Sequence, residues 1–157
     1  MKLFISIIAL AITGMIVVIF LNQNPLTVDG FSEYDGKRKL DISLINTGNH
    51  DIVISEVTVN GRAPEKAQLV ISYSGHLVGS GIDFENSVKF LEVNEEPIHP
   101  TQSPQEINQT TQNSSSPLHY GIRLLDDEDI KTVKIEYKYW GIPFERDIHL
   151  DTWPDMK

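Results

Sequence analysis

An uninterrupted apolar run near the start of the sequence limits what this chain can be more than any other feature. Residues 3–21 read LFISIIALAITGMIVVIFL and contain no charged side chain, with Lys2 before them and Asn22 after them. A helix that rises about 1.5 Å per residue would span about 28 Å here, close to the roughly 30 Å hydrocarbon core of a bilayer. We therefore predict a transmembrane anchor over residues 1–24, which contacts the membrane through residues 3–21.

The alternative for this run is a cleaved secretory signal, whose apolar core is usually about 7–15 residues and is followed by small residues at the cut. Here the run ends in Val-Ile-Phe-Leu, no A-x-A pattern follows, and the chain has no cysteine for lipid attachment. An uncleaved signal anchor is favoured. Since Lys2 lies on the short side, the positive-inside tendency places the N-terminus in the cytoplasm and residues 25–157 outside the cell membrane.

The composition of residues 25–157 fits one extracytoplasmic domain of ordinary size. Without Lys2, 12 basic residues face 22 acidic ones, a net charge of −10. Neither nucleic acid nor binding to anionic lipid is therefore expected, because both require clustered Lys and Arg. Since cysteine is absent, the domain must be held by its core and its hydrogen bonds, which favours a bacterial cell envelope over a disulfide-rich animal exterior.

Apolar residues in this domain alternate with the period of two that is typical of strands. Leu40, Ile42 and Leu44 share one face of a predicted half-buried strand, with Asp41 and Ser43 on the other face. Over residues 51–60 the alternation holds if a bulge shifts the register near residues 55–56. Residues 68–73, 88–93 and 118–124 are further predicted strands, and no helical repeat of useful length separates them.

The clearest pair of strands is a predicted hairpin over residues 131–139 and 142–150, which turns near Trp140 and Gly141. A two-residue loop would place Tyr137 opposite Phe144, whereas a four-residue loop would place Tyr139 opposite Phe144. The sequence does not choose between them. Arg146 has the parity of the apolar residues in the second strand, so we expect its charged head to reach water or a carboxylate, and residues 126–129 are candidate partners.

Seven or so short strands without helices between them predict a mainly β fold, an antiparallel β-sandwich. The stretch LDISLINTGNHDIVISEVTVNG at residues 40–61 resembles the strand-turn-strand of bacterial immunoglobulin-like domains. The resemblance implies an immunoglobulin-like fold and no activity. It also implies that Tyr137, after an acidic turn, could occupy the position of the corner tyrosine of such folds.

Residues 96–117 interrupt the strand pattern with the sequence EPIHPTQSPQEINQTTQNSSSP. Four prolines, many small polar residues and two aliphatic side chains bury too little surface to offset the entropy of ordering. We expect a flexible Pro/Ser/Asn-rich loop, which is either a tolerated insertion or a functional segment.

No motif for catalysis or metal binding is present. The sequence lacks G-x-S-x-G, H-E-x-x-H, a phosphate-binding G-x-x-x-x-G-K and any thiol. The five histidines are scattered, and residues 126–129 lack the spacing of a calcium loop. We therefore expect no enzymatic activity, no metal and no cofactor.

Aromatic residues near the hairpin turn are the candidate ligand-binding residues. Tyr139, Trp140 and Trp153 offer flat faces that could stack on sugars or fill a partner's pocket. The predicted function is a membrane-anchored binding or accessory module that works beside another envelope or membrane protein. The alternatives are a secreted sandwich that binds a cell-wall or carbohydrate ligand after signal cleavage, and a pilin-like structural subunit.

Overall fold

The computed structural model describes residues 24–74, 78–79, 87–101 and 116–152. The predicted anchor, residues 102–115 of the predicted flexible loop, and Trp153 lie outside the described residues. Within the described part of the chain, no helix is long and apolar enough to cross a membrane.

The described residues form eight β-strands and one short 3-10 helix, and they include no α-helix. The strands form two antiparallel sheets, a five-stranded sheet in the order β1-β2-β6-β4-β5 and a three-stranded sheet in the order β3-β7-β8. This architecture confirms the predicted mainly β class and is consistent with a β-sandwich. The strands are β1 (Leu26–Tyr34), β2 (Lys39–Asn46), β3 (Ile52–Val59), β4 (Lys66–Ser72), β5 (Val88–Glu92), β6 (His119–Leu125), β7 (Thr132–Tyr139) and β8 (Ile142–His149).

One hydrophobic core lies between the two sheets. Alternate residues of β2, β4 and β6 in the larger sheet meet alternate residues of β3 and β7 in the smaller one. Ile42, Ile54 and Tyr137 are among its fully buried members. The alternation in the sequence therefore corresponds to one apolar face on each sheet.

Two local predictions about strand register are confirmed. The pairing of β3 with β7 shifts between Ile54 and Glu56, which is the expected bulge. In the hairpin, Tyr137 lies opposite Phe144, so the loop has two residues. Both of them, Trp140 and Gly141, have positive φ angles (58° and 75°), the signature of a type I′ turn that matches the twist of the flanking strands.

The prediction that one face of β2 is exposed to solvent is wrong, because the five-stranded sheet is covered on both faces there. Asp41 and Ser43 are buried. A small second cluster of Val70, Val78, Val88 and Phe90 packs on the outer face of the sheet. Asp41 is therefore compensated by a side chain, since both Arg123 Nε and Nη2 donate to its carboxylate at 2.7 and 2.9 Å.

The strands give the domain two ends. At the near end, where the chain reaches β1, Leu26 pairs with Asn46, and both the β2–β3 connection (47–51) and the β7–β8 turn (140–141) are located there. At the far end, Tyr34 pairs with Lys39, and the β1–β2 (35–38) and β6–β7 (126–131) connections lie together. A backbone hydrogen bond from Asp126 to Arg38 joins these two connections.

Candidate functional site

The most exposed large apolar side chain in the described residues belongs to Trp140, at the tip of the β7–β8 hairpin. Its side chain is 56% exposed. The two turn residues lie beyond the last pair of the hairpin, Tyr139 and Ile142, and a non-glycine residue adopts the positive φ of Trp140 at some cost. A large exposed aromatic ring in such a position is typical of a contact surface.

The ring of Trp140 forms one side of a shallow groove with the β2–β3 connection. The imidazole of His50 packs edge-on against the indole, with ring centroids 4.4 Å apart. Val53 in β3 is 40% exposed and lines the same groove, beside Lys138 of β7. We call this set the tip surface; its lining residues are Asn49, His50, Asp51, Val53, Lys138, Trp140 and Gly141.

Tyr139, the second predicted ligand-binding residue, is buried, with only 7% of its surface exposed. Its hydroxyl donates to Asn49 Oδ1 at 2.7 Å and accepts a hydrogen bond from the backbone N–H of Asn49 at 3.1 Å. Gly48 permits this approach, because an added Cβ would lie 2.7 Å from the hydroxyl oxygen. Tyr139 therefore fixes the β2–β3 connection against the hairpin, while Trp140 supplies the accessible surface. Trp153, the third residue, lies outside the described residues.

The tip surface contains residues that the sequence interpretation missed. His50 and Val53 lie about ninety residues before Trp140 in the chain, and only the pairing of β3 with β7 brings them next to it. The one available signal was the turn-forming run of residues 46–50, which shows a connection but does not show which other connection it contacts.

At the far end, the acidic residues 126–129 bind a different arginine from the one expected. Arg62 Nη2 lies 2.8 Å from Asp127 Oδ1 and 3.5 Å from Glu128 Oε2, and it also contacts Asp126. The hydrogen bond from Arg62 lowers the pKa of the Asp127 carboxyl, and its partner, the Arg62 guanidinium, has a raised pKa. Arg146 is not the partner of this loop among the described residues, because β8 places it opposite Ile135 in the middle of β7.

Tyr137 also differs from a corner tyrosine in its partner. Its hydroxyl donates to Asn24 Oδ1 at 2.5 Å, and Asn24 lies 113 residues earlier in the chain. The side-chain Nδ2 of Asn24 in turn donates to the backbone carbonyl of Glu145 at 3.0 Å. A corner tyrosine bonds to backbone a few residues upstream. Burial raises the pKa of Tyr137 to about 12. Asn24 therefore fastens the start of the described chain to β7 and β8.

A second concave feature, of about 350 Å³, lies between the end of β2 and the start of β6. His119 and Tyr120 line it; burial lowers the pKa of His119 and raises the pKa of Tyr120 to about 12. The Tyr120 hydroxyl is buried without a hydrogen-bond partner among the described residues. The residues that line this cavity do not include the acidic residues 126–129.

The described histidines and carboxylates do not assemble into a metal site. Within the described ranges, no group of three or more such residues is arranged to hold a metal ion. The nearest approach of a histidine to a carboxylate is the 2.8 Å contact between His99 Nδ1 and Asp51 Oδ1, at the border of the tip surface.

Comparison with protein-family models, with curated proteins and with solved structures gave no match to this chain. Its function is therefore inferred from its own residues.

Proposed function

We propose that this chain is a membrane-anchored extracytoplasmic module of a cell envelope, which acts by binding or as an accessory subunit and not by catalysis. One observation carries the proposal. Three large hydrophobic side chains are exposed among the described residues, and all three, Val53, Trp140 and Ile142, lie at the near end. Exposed apolar groups gathered at one end of a domain support a contact surface there.

The proposed fold of the module is an immunoglobulin-like sandwich. A constant-type immunoglobulin domain orders its strands A-B-E-D in one sheet and C-F-G in the other. If β1, β2, β4 and β6 are read as A, B, D and E, the larger sheet has the same order, with β5 added at its edge. The smaller sheet, β3-β7-β8, then corresponds to C-F-G. Such sandwiches serve many binding functions, so the strand order supports a fold and leaves the partner to the surface.

The proposed address depends on the sequence that precedes the domain. The apolar run ends at Leu21, and Asn24 is already hydrogen-bonded to the sandwich. A domain that begins so soon after a run of membrane-spanning length would work close to the bilayer. The secreted and pilin-like alternatives differ from this proposal in whether residues 1–24 stay attached and in whether the chain assembles into a fibre.

The test is the topology of the full chain with a C-terminal tag, expressed in a bacterium. We expect the intact mass in the membrane fraction, and we expect protease added to spheroplasts to remove the domain from outside. A shorter soluble product would replace the proposal with the secreted alternative. Protection of the domain from external protease would contradict the extracytoplasmic location.

A further inference from the structure

The tip surface lies at the end of the domain where the chain arrives from the apolar run. Residues 22–23 separate Leu21 from Asn24, and three extended residues reach about 11 Å at most. Asn24 is hydrogen-bonded at the level of Glu145. The hairpin continues for four more residues beyond Glu145 to Gly141, about 13 Å at roughly 3.3 Å per residue. The distance from Asn24 to the hairpin tip is therefore at least as long as the greatest distance by which residues 22–23 can separate Asn24 from Leu21.

The lipid headgroup layer lies between the end of the apolar run and the domain. A bilayer of about 40–45 Å with a hydrocarbon core of about 30 Å has roughly 5–8 Å of interface on each side. If residues 3–21 cross the bilayer and the strands point toward it, the hairpin tip meets this layer. Trp is enriched there because its ring is apolar and its indole N–H is polar.

One basic side chain lines the tip surface. Lys138 of β7 is exposed and lies in the groove beside Trp140. At the far end, the β6–β7 connection carries four consecutive acidic residues, Asp126, Asp127, Glu128 and Asp129, three of which contact Arg62. A membrane surface with anionic lipid attracts basic groups and repels acidic ones. With the tip toward the bilayer, Lys138 would face the lipid, and this acidic segment would face away.

We propose that the partner of the tip surface is the lipid bilayer interface, with the indole of Trp140 at the level of the headgroups and Val53 beside it. This inference depends on the anchoring proposed above. The contact fixes the orientation of the sandwich on the membrane, so that the far end, with Arg62 and its acidic partners, is presented to the surroundings.

The experiment places a single tryptophan at either end of the full-length protein in vesicles of phosphatidylcholine and phosphatidylglycerol. The Trp153→Phe variant leaves Trp140 as the only tryptophan. The matched control adds Glu65→Trp to a Trp140→Phe, Trp153→Phe chain, because residue 65 is exposed and precedes β4 at the far end. Flotation reports anchoring, and quenching by phosphatidylcholine with brominated acyl chains reports contact with lipid.

We expect both proteins to float with the vesicles. Brominated lipid should lower the emission of Trp140 by about twofold or more, because the indole lies at the headgroup level, and should leave the far-end tryptophan nearly unchanged. Flotation without preferential quenching of Trp140 would overturn the inference and leave the anchoring intact. Absence of flotation would overturn the anchoring and the inference together.

Discussion

The buried ion pair between Asp41 and Arg123 gives the sharpest test of how this two-sheet fold is held together. The side chain of Asp41 is fully buried and that of Arg123 is 7% exposed, and the guanidinium carbon lies 4.7 Å from the centroid of the Phe90 ring. Removal of one partner leaves a charge in a poorly solvated place, which costs about 3–5 kcal/mol in comparable pairs. We expect Asp41→Asn to lower the free energy of unfolding by that amount.

The measurement is urea unfolding of the full chain in detergent micelles, followed by circular dichroism. A change of 1 kcal/mol moves the melting temperature of a domain of this size by about 4 °C, so thermal unfolding should show a loss of roughly 12–20 °C. The double variant Asp41→Leu, Arg123→Met removes both charges and should be more stable than Asp41→Leu alone, because apolar replacement of a buried pair is often tolerated.

Asp35→Asn is the matched control, because it makes the same chemical change in an exposed pair. Arg38 Nη2 lies 3.0 Å from Asp35 Oδ1, and both side chains are largely solvated. Exposed pairs contribute about 0–1 kcal/mol, so the control should unfold almost like the unaltered protein. If Asp41→Asn cost no more than Asp35→Asn, the assigned role of the buried pair would be refuted.

Three further predictions concern the larger sheet and the start of the chain. Gly121→Ala should destabilise the domain severely in the same urea assay, because its Cβ would lie 2.5 Å from the Ile42 carbonyl oxygen, and an unchanged midpoint would contradict the packing. Burial lowers the pKa of His119, so its contribution to stability is complete above about pH 6.5 and is lost as the pH falls through the folded-state pKa. The variant His119→Gln should therefore lose less stability than the unaltered protein between pH 7.5 and 5, and an equal loss in both proteins would contradict this assignment. Asn24→Ala removes two hydrogen bonds to β7 and β8 and should cost about 1–3 kcal/mol; equal hydrogen-exchange protection of β1 in both proteins would argue against this fastening.

Alternating apolar residues, with one bulge in β3, made seven of the eight strands predictable, and a bulge in β1 hid the eighth. In β1 the pairing with β2 shifts between Val28 and Gly30, so that Asp29 falls in a bulge. The apolar residues on either side of it are therefore out of phase, and the sequence LTVDGFSEY does not show a period of two. The burial of Asp41 was missed for a different reason. Its partner Arg123 comes from β6, and the guanidinium of Arg123 lies over the Phe90 ring of β5. Alternation within one strand contains no information about these residues.

The candidate site was predictable only in its local part. The parity of β7 places Tyr139 with Tyr137 on the inner face, so its burial follows from the alternation, and the position of Trp140 in a two-residue turn makes its exposure understandable. The two hydrogen bonds between Tyr139 and Asn49 join residues ninety positions apart. Such contacts depend on how the connections at one end meet, which no short sequence pattern encodes.

The segment between β5 and β6 determines which end of the domain carries Trp140. In a purely up-and-down order, each strand reverses direction, and the β7–β8 turn would then lie at the far end, opposite the start of β1. After β5, however, the chain returns to the near end, where the buried Ile98 exchanges backbone hydrogen bonds with Ile52 and the Thr101 amide donates to the Asn46 carbonyl. β6 therefore starts at the near end, β7 returns to it, and the hairpin tip comes to lie at the same end as Leu26, the first residue of β1. The described beginning of the Pro/Ser/Asn-rich stretch thus places the tip surface where the proposed membrane contact requires it.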